Sequence, residues 1–240
     1  MTARQSGDPA APDPGELAPA ERRQIVRDGL AVAVATGAYG ISFGAIGVSS
    51  GLDVIQTCAL SLLVFTGASQ FAFVGVIAAG GAPLVGAASG LLLGVRNTLY
   101  GLRLAPLLAW HGARKAAAAH LVIDESTAMS VTRGSTEAAR VGFLTTGLGV
   151  FVLWNASTLV GAIAGDAIGD PRDYGLDAAV GGAFLALLWP RLTTATTRIA
   201  AVLSAGVALV LVPLTPAGIP VLAAGVVALG LGLRGREVAS

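Results

Sequence analysis

The sequence predicts an all-α, polytopic integral membrane protein with about seven apolar helical segments, one of them interrupted or re-entrant. Three observations carry this expectation. Only 12% of the 240 residues are charged, against about 25% in soluble domains, and mean hydropathy is +0.76. Apolar residues gather into runs of about 20, the length that crosses a core of roughly 30 Å at 1.5 Å per residue. Thirty-three glycines and few aromatics suit helices that approach one another closely through small side chains.

Residues 1–28 are rich in Pro, Ala, Asp, Glu and Arg without an apolar period, and read as a disordered N-terminal tail. Their acidic character and length do not fit a secretory signal peptide. The membrane domain, 29–234, follows, with a short tail at 235–240. Its apolar runs lie near 29–49, 54–79, 84–109, 141–165, 175–190, 196–213 and 217–233. Gly80-Gly81-Ala82-Pro83 allows only a tight turn between the second and third runs, and Pro213 to Gly218 does the same for the last two. The segment 111–140 is the one long polar stretch. It holds His111, His120, Arg114, Lys115, Asp124, Glu125, Arg133, Glu137 and Arg140, and reads as an interfacial helix and loop.

Charge bias places Arg22, Arg23 and Arg27 in the cytoplasm, and the segment 111–140 with them, while the acidic loop 166–173 faces outward. Three crossings cannot join two cytoplasmic ends. Either the N-terminus is external despite its arginines, or one of the first three runs is re-entrant. The re-entrant candidate is the second run, which carries FTGASQF at 65–71. Two echoes hint at an internal repeat of about three helices: GLD at 51–53 with GLD at 175–177, and FGAIG at 43–47 with VGAIAG at 160–165. Coincidence in a low-complexity apolar chain is the alternative.

The polar interruption of the second run is the first candidate site. Thr66, Ser69 and Gln70 donate and accept hydrogen bonds, and Gly67 and Ala68 let a ligand approach the backbone. A helix opened here would aim free N–H groups at an anionic group. The competing reading is a small-residue helix contact. Arg96 is the second candidate, because a mid-span arginine costs about 2.5–3.5 kcal/mol on insertion scales and must be paired, hydrated or functional. Tyr100 and Arg103 share its helix face; the guanidinium suits a carboxylate, or a structural pair. Asp124 and Glu125 either relay protons or begin a helix. Asn155 needs a partner within the fourth run, and Thr158 lies one turn away.

Other classes are excluded or disfavoured. The net charge of +1 gives no grip on nucleic acid. The single Cys58 permits no intrachain disulfide. There is no GxxxxGK[ST], HExxH or GxSxG, so neither an ATPase loop, a zinc site nor a nucleophile elbow is expected, and no cofactor or metal is implied.

Taken together, YGISFGAIGVSSGLD (39–53), FTGASQF (65–71), RNTLYGLRLAP (96–106), DESTAM (124–129), WNASTLVGAIAG (154–165) and GLDAAVGGAFLALLWP (175–190) resemble the AzlC family. That family is the large subunit of branched-chain amino acid permeases and exporters. The resemblance covers roughly 29–233. It implies an inner-membrane secondary exporter of valine, leucine, isoleucine or analogues, coupled to proton entry and working with a small AzlD-type membrane subunit. Substrate contacts would then come from Thr66 to Gln70, Arg96, Asn97 and Tyr100. A passive pore and a purely structural subunit are the rival readings. One departure stands out. The family's third-span pattern carries Asn and His flanking its Arg, and here Gly94 and Asn97 occupy those places.

Overall fold

A computed structural model of the chain describes residues 17–168, 185, 188–189, 192–216 and 218–237. Among these residues the protein is all-helical. The helices are α1 (Pro19–Ser49), α2 (Val54–Leu63), α3 (Ala68–Ala78), α4 (Pro83–Leu108), α5 (Gly112–His120), α6 (Asp124–Val131), α7 (Thr136–Ile168), α8 (Ala195–Leu211) and α9 (Ile219–Glu237). By length and composition α1 and α7 are able to cross a bilayer. The apolar run 175–190 and the second GLD lie outside the described residues, apart from Leu185, Leu188 and Trp189.

The spine is α1 against α7. Gly29 lies beside Thr145 and Thr146, Gly37 beside Leu153, and Gly40 beside Trp154 and Ser157. Contacts advance together along both chains, so the two helices run parallel. A Cβ on Gly44 would overlap the Thr158 carbonyl, and one on Gly161 would overlap the Ile41 carbonyl. Only hydrogen fits at these positions, and the backbones meet directly, as small-residue seams allow. The echoed segments FGAIG and VGAIAG are therefore neighbours in this seam.

Contact order along the other helices gives their directions. Let the start of α1 define the lower end. Thr57 lies beside Gly47, Ser61 beside Thr158 and Phe65 against Phe151, so α2 descends while α7 climbs. Next, Ser69 faces Gly90 and Phe73 faces Gly86, so α3 is antiparallel to α4. Arg140 Nε donates to the Leu108 carbonyl at 2.8 Å, so α4 ends beside the start of α7 and descends. It follows that α3 climbs, and that α2–α3 is a hairpin entering and leaving at the upper end. The second run is thus folded back on itself as a hairpin, and the lower end holds both the start of α1 and the segment after α4.

The polar segment 111–140 makes a second hairpin from the opposite side. Ser126 faces Gly147 and Met129 faces Gly142, so α6 descends along α7, while α5 rises to meet it. Here the interfacial expectation meets a different arrangement. Exposed Arg114 and Lys115 lie on α5, but Leu121, Val122, Ile123, Ser126 and Ser130 are buried. The two hairpin-plus-helix units, 54–108 and 112–168, share one pattern of glycine contacts. In each, a serine of the returning half-helix meets a glycine of the long helix that follows, and a large residue one turn on meets a second glycine (Ser69–Gly90 and Phe73–Gly86; Ser126–Gly147 and Met129–Gly142).

The tail expectation also needs a correction. Residues 19–28 form the first turns of α1, with Pro19 at its start and Glu21 in its first turn. Ile25 is buried with Leu17 and Ala138, and the Glu137 carboxylate accepts from the Leu17 N–H at 3.0 Å. At the other end, Asp53 and Gln56 form a reciprocal capping box at the start of α2, satisfying two backbone donors. Finally, α8 and α9 pair antiparallel through Ser204 and Ala224, with α9 alongside α4 at Val85 and Leu92.

Candidate functional site

The tips of the two hairpins meet in the middle of the molecule, and a cavity of about 510 Å³ opens there. Its walls come from α1 (Ala35, Thr36, Tyr39), the first tip (Phe65, Thr66, Gly67, Ala68) with Phe71, α4 (Leu93, Arg96), the second tip (Ile123, Asp124, Glu125) and α7 (Val150, Trp154), with Leu188 beside them. Small-molecule sites typically span about 300–1,000 Å³.

Each tip leaves helix termini far from water, so its orphan backbone groups need partners. This requirement accounts for several polar side chains at the tips, Gln70 and Ser126 buried among them. Gln70, fully buried, donates Nε2 to the Leu60 and Ser61 carbonyls at 3.2 and 3.3 Å, closing the end of α2. His120 Nε2 lies 2.9 Å from the Leu62 carbonyl, its ring packed by Phe65 and Phe151. Asn97 Nδ2 donates to the Val122 carbonyl at 3.0 Å. Ser126 Oγ accepts from the Ile123 N–H at 3.1 Å and donates to the Leu121 carbonyl at 2.7 Å, fixing the second tip. Gly67 makes the first tip turn: φ is 64° and ψ is −93°, a conformation that costs other residues about 1–3 kcal/mol.

Arg96 spans both tips. Its Nη2 lies 3.4 Å from the Thr66 carbonyl and 3.1 Å from Asp124 Oδ2, with about a quarter of each charged side chain exposed. The N-terminal ends of α3 and α6 both open toward this pair. Asp124 and Glu125 occupy the first turn of α6, where a negative charge suits the helix dipole. Several polar atoms nearby are buried without a hydrogen-bond partner: Thr66 Oγ1, Arg96 Nε and Trp154 Nε1. Leaving such a group unpaired costs about 1–3 kcal/mol.

The sequence-selected residues therefore divide. Thr66, Gly67, Ala68, Arg96, Asp124 and Glu125 line the cavity together. Ser69 is buried against α4 at Gly90 and Gly94, Gln70 serves the end of α2, and Asn97 serves the second tip. Tyr100 is half-buried and packs on the core beside these elements, outside the cavity walls. Asn155 Nδ2 donates to the Phe151 carbonyl of its own helix at 2.7 Å. Thr158, fully buried, receives a hydrogen bond from Ser61 Oγ at 3.3 Å, tying α2 to α7. At the place where the family pattern carries His, Asn97 does a donor's job that an imidazole N–H also does.

Sequence reasoning missed Thr36, Tyr39, Phe65 and Phe71 as walls. Thr36 and Tyr39 are three residues apart on one helical face within an apolar run, and that spacing was the available signal. Trp154 is held by stacking on Phe43 (centroids 6.0 Å apart) and edge-on to Phe71 (6.3 Å). Among the described residues no group of three His, Cys, Asp or Glu is placed to hold a metal ion.

Comparison with known proteins bears on the same region. No curated protein and no solved structure matches the chain. Residues 31–168 match the family model described as AzlC protein. That stretch begins in the first half of α1, includes both hairpins and ends with α7, and so contributes every cavity wall but Leu188. With more than half of its length and nearly all of its central cavity inside that match, the chain belongs to the AzlC family.

Proposed function

We propose that this protein is a secondary carrier that exports hydrophobic amino acids, such as valine, leucine and isoleucine or their analogues. The observation that carries the reading is the central cavity between two opposed hairpin tips. Its walls are largely apolar, with Phe65, Phe71, Leu93 and Val150, which suits a branched side chain. Arg96 and the start of α3 offer positive potential to a carboxylate, and Asp124 and Glu125 offer negative potential to an ammonium group. Half-helices whose ends face a mid-membrane site are a recurring device of secondary transporters.

The helix directions fit an inner-membrane, multi-pass arrangement with the lower end in the cytoplasm. Arg22, Arg23, Arg27, Arg114, Lys115, Arg133, Arg140 and Arg198 lie toward that end, whereas Asp53 and Asp166 lie at the other. In this reading the Asp124 and Glu125 carboxylates carry the coupling proton, and a small AzlD-type membrane subunit covers part of the apolar outer surface. The test is efflux from cells loaded with valine-containing dipeptides, with and without that subunit. Saturable efflux that responds to the proton gradient is the expected result; efflux equal to that of cells lacking the protein would sink the proposal. A passive pore is the second reading, favoured by hairpins that meet tip to tip, and it predicts flux that neither saturates nor responds to the proton gradient.

A further inference from the structure

The geometry points to Trp154 as a specificity-determining residue: its indole N–H, together with the Thr66 hydroxyl and the Arg96 Nε–H, receives the carboxylate of the cavity's ligand. This rests on the carrier reading above and adds which side chains tell an amino acid from an amine of the same shape.

Three observations lead there. Trp154 is 5% exposed and lines the cavity, yet its Nε1 has no hydrogen-bond partner. An indole N–H only donates, so nothing but an acceptor satisfies it. A buried Trp usually finds such a partner. The ring is fixed by Phe43 and Phe71, so it does not turn to seek one elsewhere.

Second, two further groups on the same walls, beside the Arg96–Asp124 ion pair, are able to donate. Arg96 uses Nη2 on Asp124 and the Thr66 carbonyl, which leaves Nε–H, another obligate donor. Thr66 Oγ1 is buried and unpartnered on the first tip. Two obligate donors and a hydroxyl around one cavity match a group with several acceptor lone pairs and no proton to offer, which is a carboxylate.

Third, the start of α3 faces the same cavity at Gly67 and Ala68. The Gln70 and Phe71 N–H groups both turn to the Gly67 carbonyl, and the N–H groups ahead of them have no intrahelical acceptor. They add positive potential where the side-chain donors stand.

The experiment measures binding of tritiated leucine to the purified full-length protein in nanodiscs, competed by unlabelled leucine or by leucinol, which keeps the ammonium and the branched chain but lacks the carboxylate. Trp154→Phe keeps the aromatic packing and removes the donor. Leucine affinity is expected to fall about tenfold or more while leucinol affinity stays the same, so the preference between them collapses. Thr66→Val, a swap of hydroxyl for methyl, is expected to act in the same direction and serves the same purpose if Trp154→Phe does not fold. Equal weakening of both ligands would reveal a merely structural role and overturn the inference, as would unchanged leucine affinity in both variants. If the unaltered protein binds no leucine, the carrier reading for this substrate class falls first and this inference falls with it.

Discussion

The α1–α7 seam and the paired hairpins are built from opposite materials. The seam is two long, parallel helices whose glycines leave no gap between backbones, with Ile25, Ala33, Phe43, Phe143 and Val150 buried along it. The hairpins are four half-helices of 10, 11, 9 and 8 residues, held at their tips by side-chain hydrogen bonds from Gln70, His120, Asn97, Ser126 and Arg96. Interdigitated backbone tolerates almost no displacement, because packed interiors resist volume change. The tips pack apolar side chains such as Phe65 and Ile123 into the core, but their backbones are joined through side-chain hydrogen bonds rather than through direct helix contact. In the carrier proposed above, the contrast gives the seam the role of frame and the tips the role of moving parts.

The most damaging way to break the comparison is to attack the frame. Gly161→Leu places a side chain on the Ile41 carbonyl. Overpacking typically costs about 1–3 kcal/mol, and a clash with backbone belongs above that range. We expect loss of monodisperse protein by fluorescence-detected gel filtration; a normal elution profile would show the seam to be looser than described. Arg96→Ala comes next, since it removes the guanidinium that lies 3.1 Å from Asp124 and donates to the Thr66 carbonyl. Removing one partner of a buried ion pair costs about 3–5 kcal/mol, less here because both side chains are partly exposed. Export should fall at least about tenfold with membrane levels at or slightly below normal, and Arg96→Lys should recover part of it. Unchanged export would remove Arg96 from the site.

Gln70→Leu separates structure from recognition. It removes the donor from two carbonyls at the end of α2, at about 1–3 kcal/mol. Thermal stability should drop, while the concentration for half-maximal transport of correctly folded protein stays put. A large change in that concentration would put Gln70 back among the ligand contacts. Gly67→Ala probes tip geometry alone, because a Cβ there meets nothing within 4 Å. The expected cost is the backbone strain of about 1–3 kcal/mol, seen as slower transport with the frame intact. Asp53→Ala is the mildest change. Losing the α2 cap should lower stability by about 1 kcal/mol and leave binding untouched, as measured by thermal shift and equilibrium binding in parallel.

Much of this arrangement is legible in the chain. Polar residues in the middle of the 54–79 run announce a broken helix, and the charge parity of the first three runs leaves either an external N-terminus or one run that turns back. Arg96 declares itself through the cost of a buried charge. What periodicity does not reveal is the destination of each polar group. Gln70 and Thr66 are four residues apart in one motif, yet the first closes a helix end and the second lines the cavity. Only the fold determines which carbonyls are left over. The second hairpin was hidden for a related reason: 111–140 is polar enough to suit an interface, and its buried part, Leu121 to Ser130, is made apolar or satisfied by Ser126 and Ser130 bonding their own backbone. Trp154 stands inside an apolar run, but its partners Phe43 and Phe71 come from distant segments.

The brevity of the second hairpin carries a consequence for how the molecule is made. At about 1.5 Å per residue, neither the nine residues of α5 nor the eight of α6 reaches across a core of roughly 30 Å. The glycines that receive this hairpin, Gly142 and Gly147, belong to α7 and leave the ribosome after it. Residues 112–131 therefore lack their α7 partners, and keep only the contacts to α2 and α4, until translation has delivered the helix behind them. A nascent chain halted at residue 135 should hold this stretch in a protease-accessible state, and one halted beyond α7 should not.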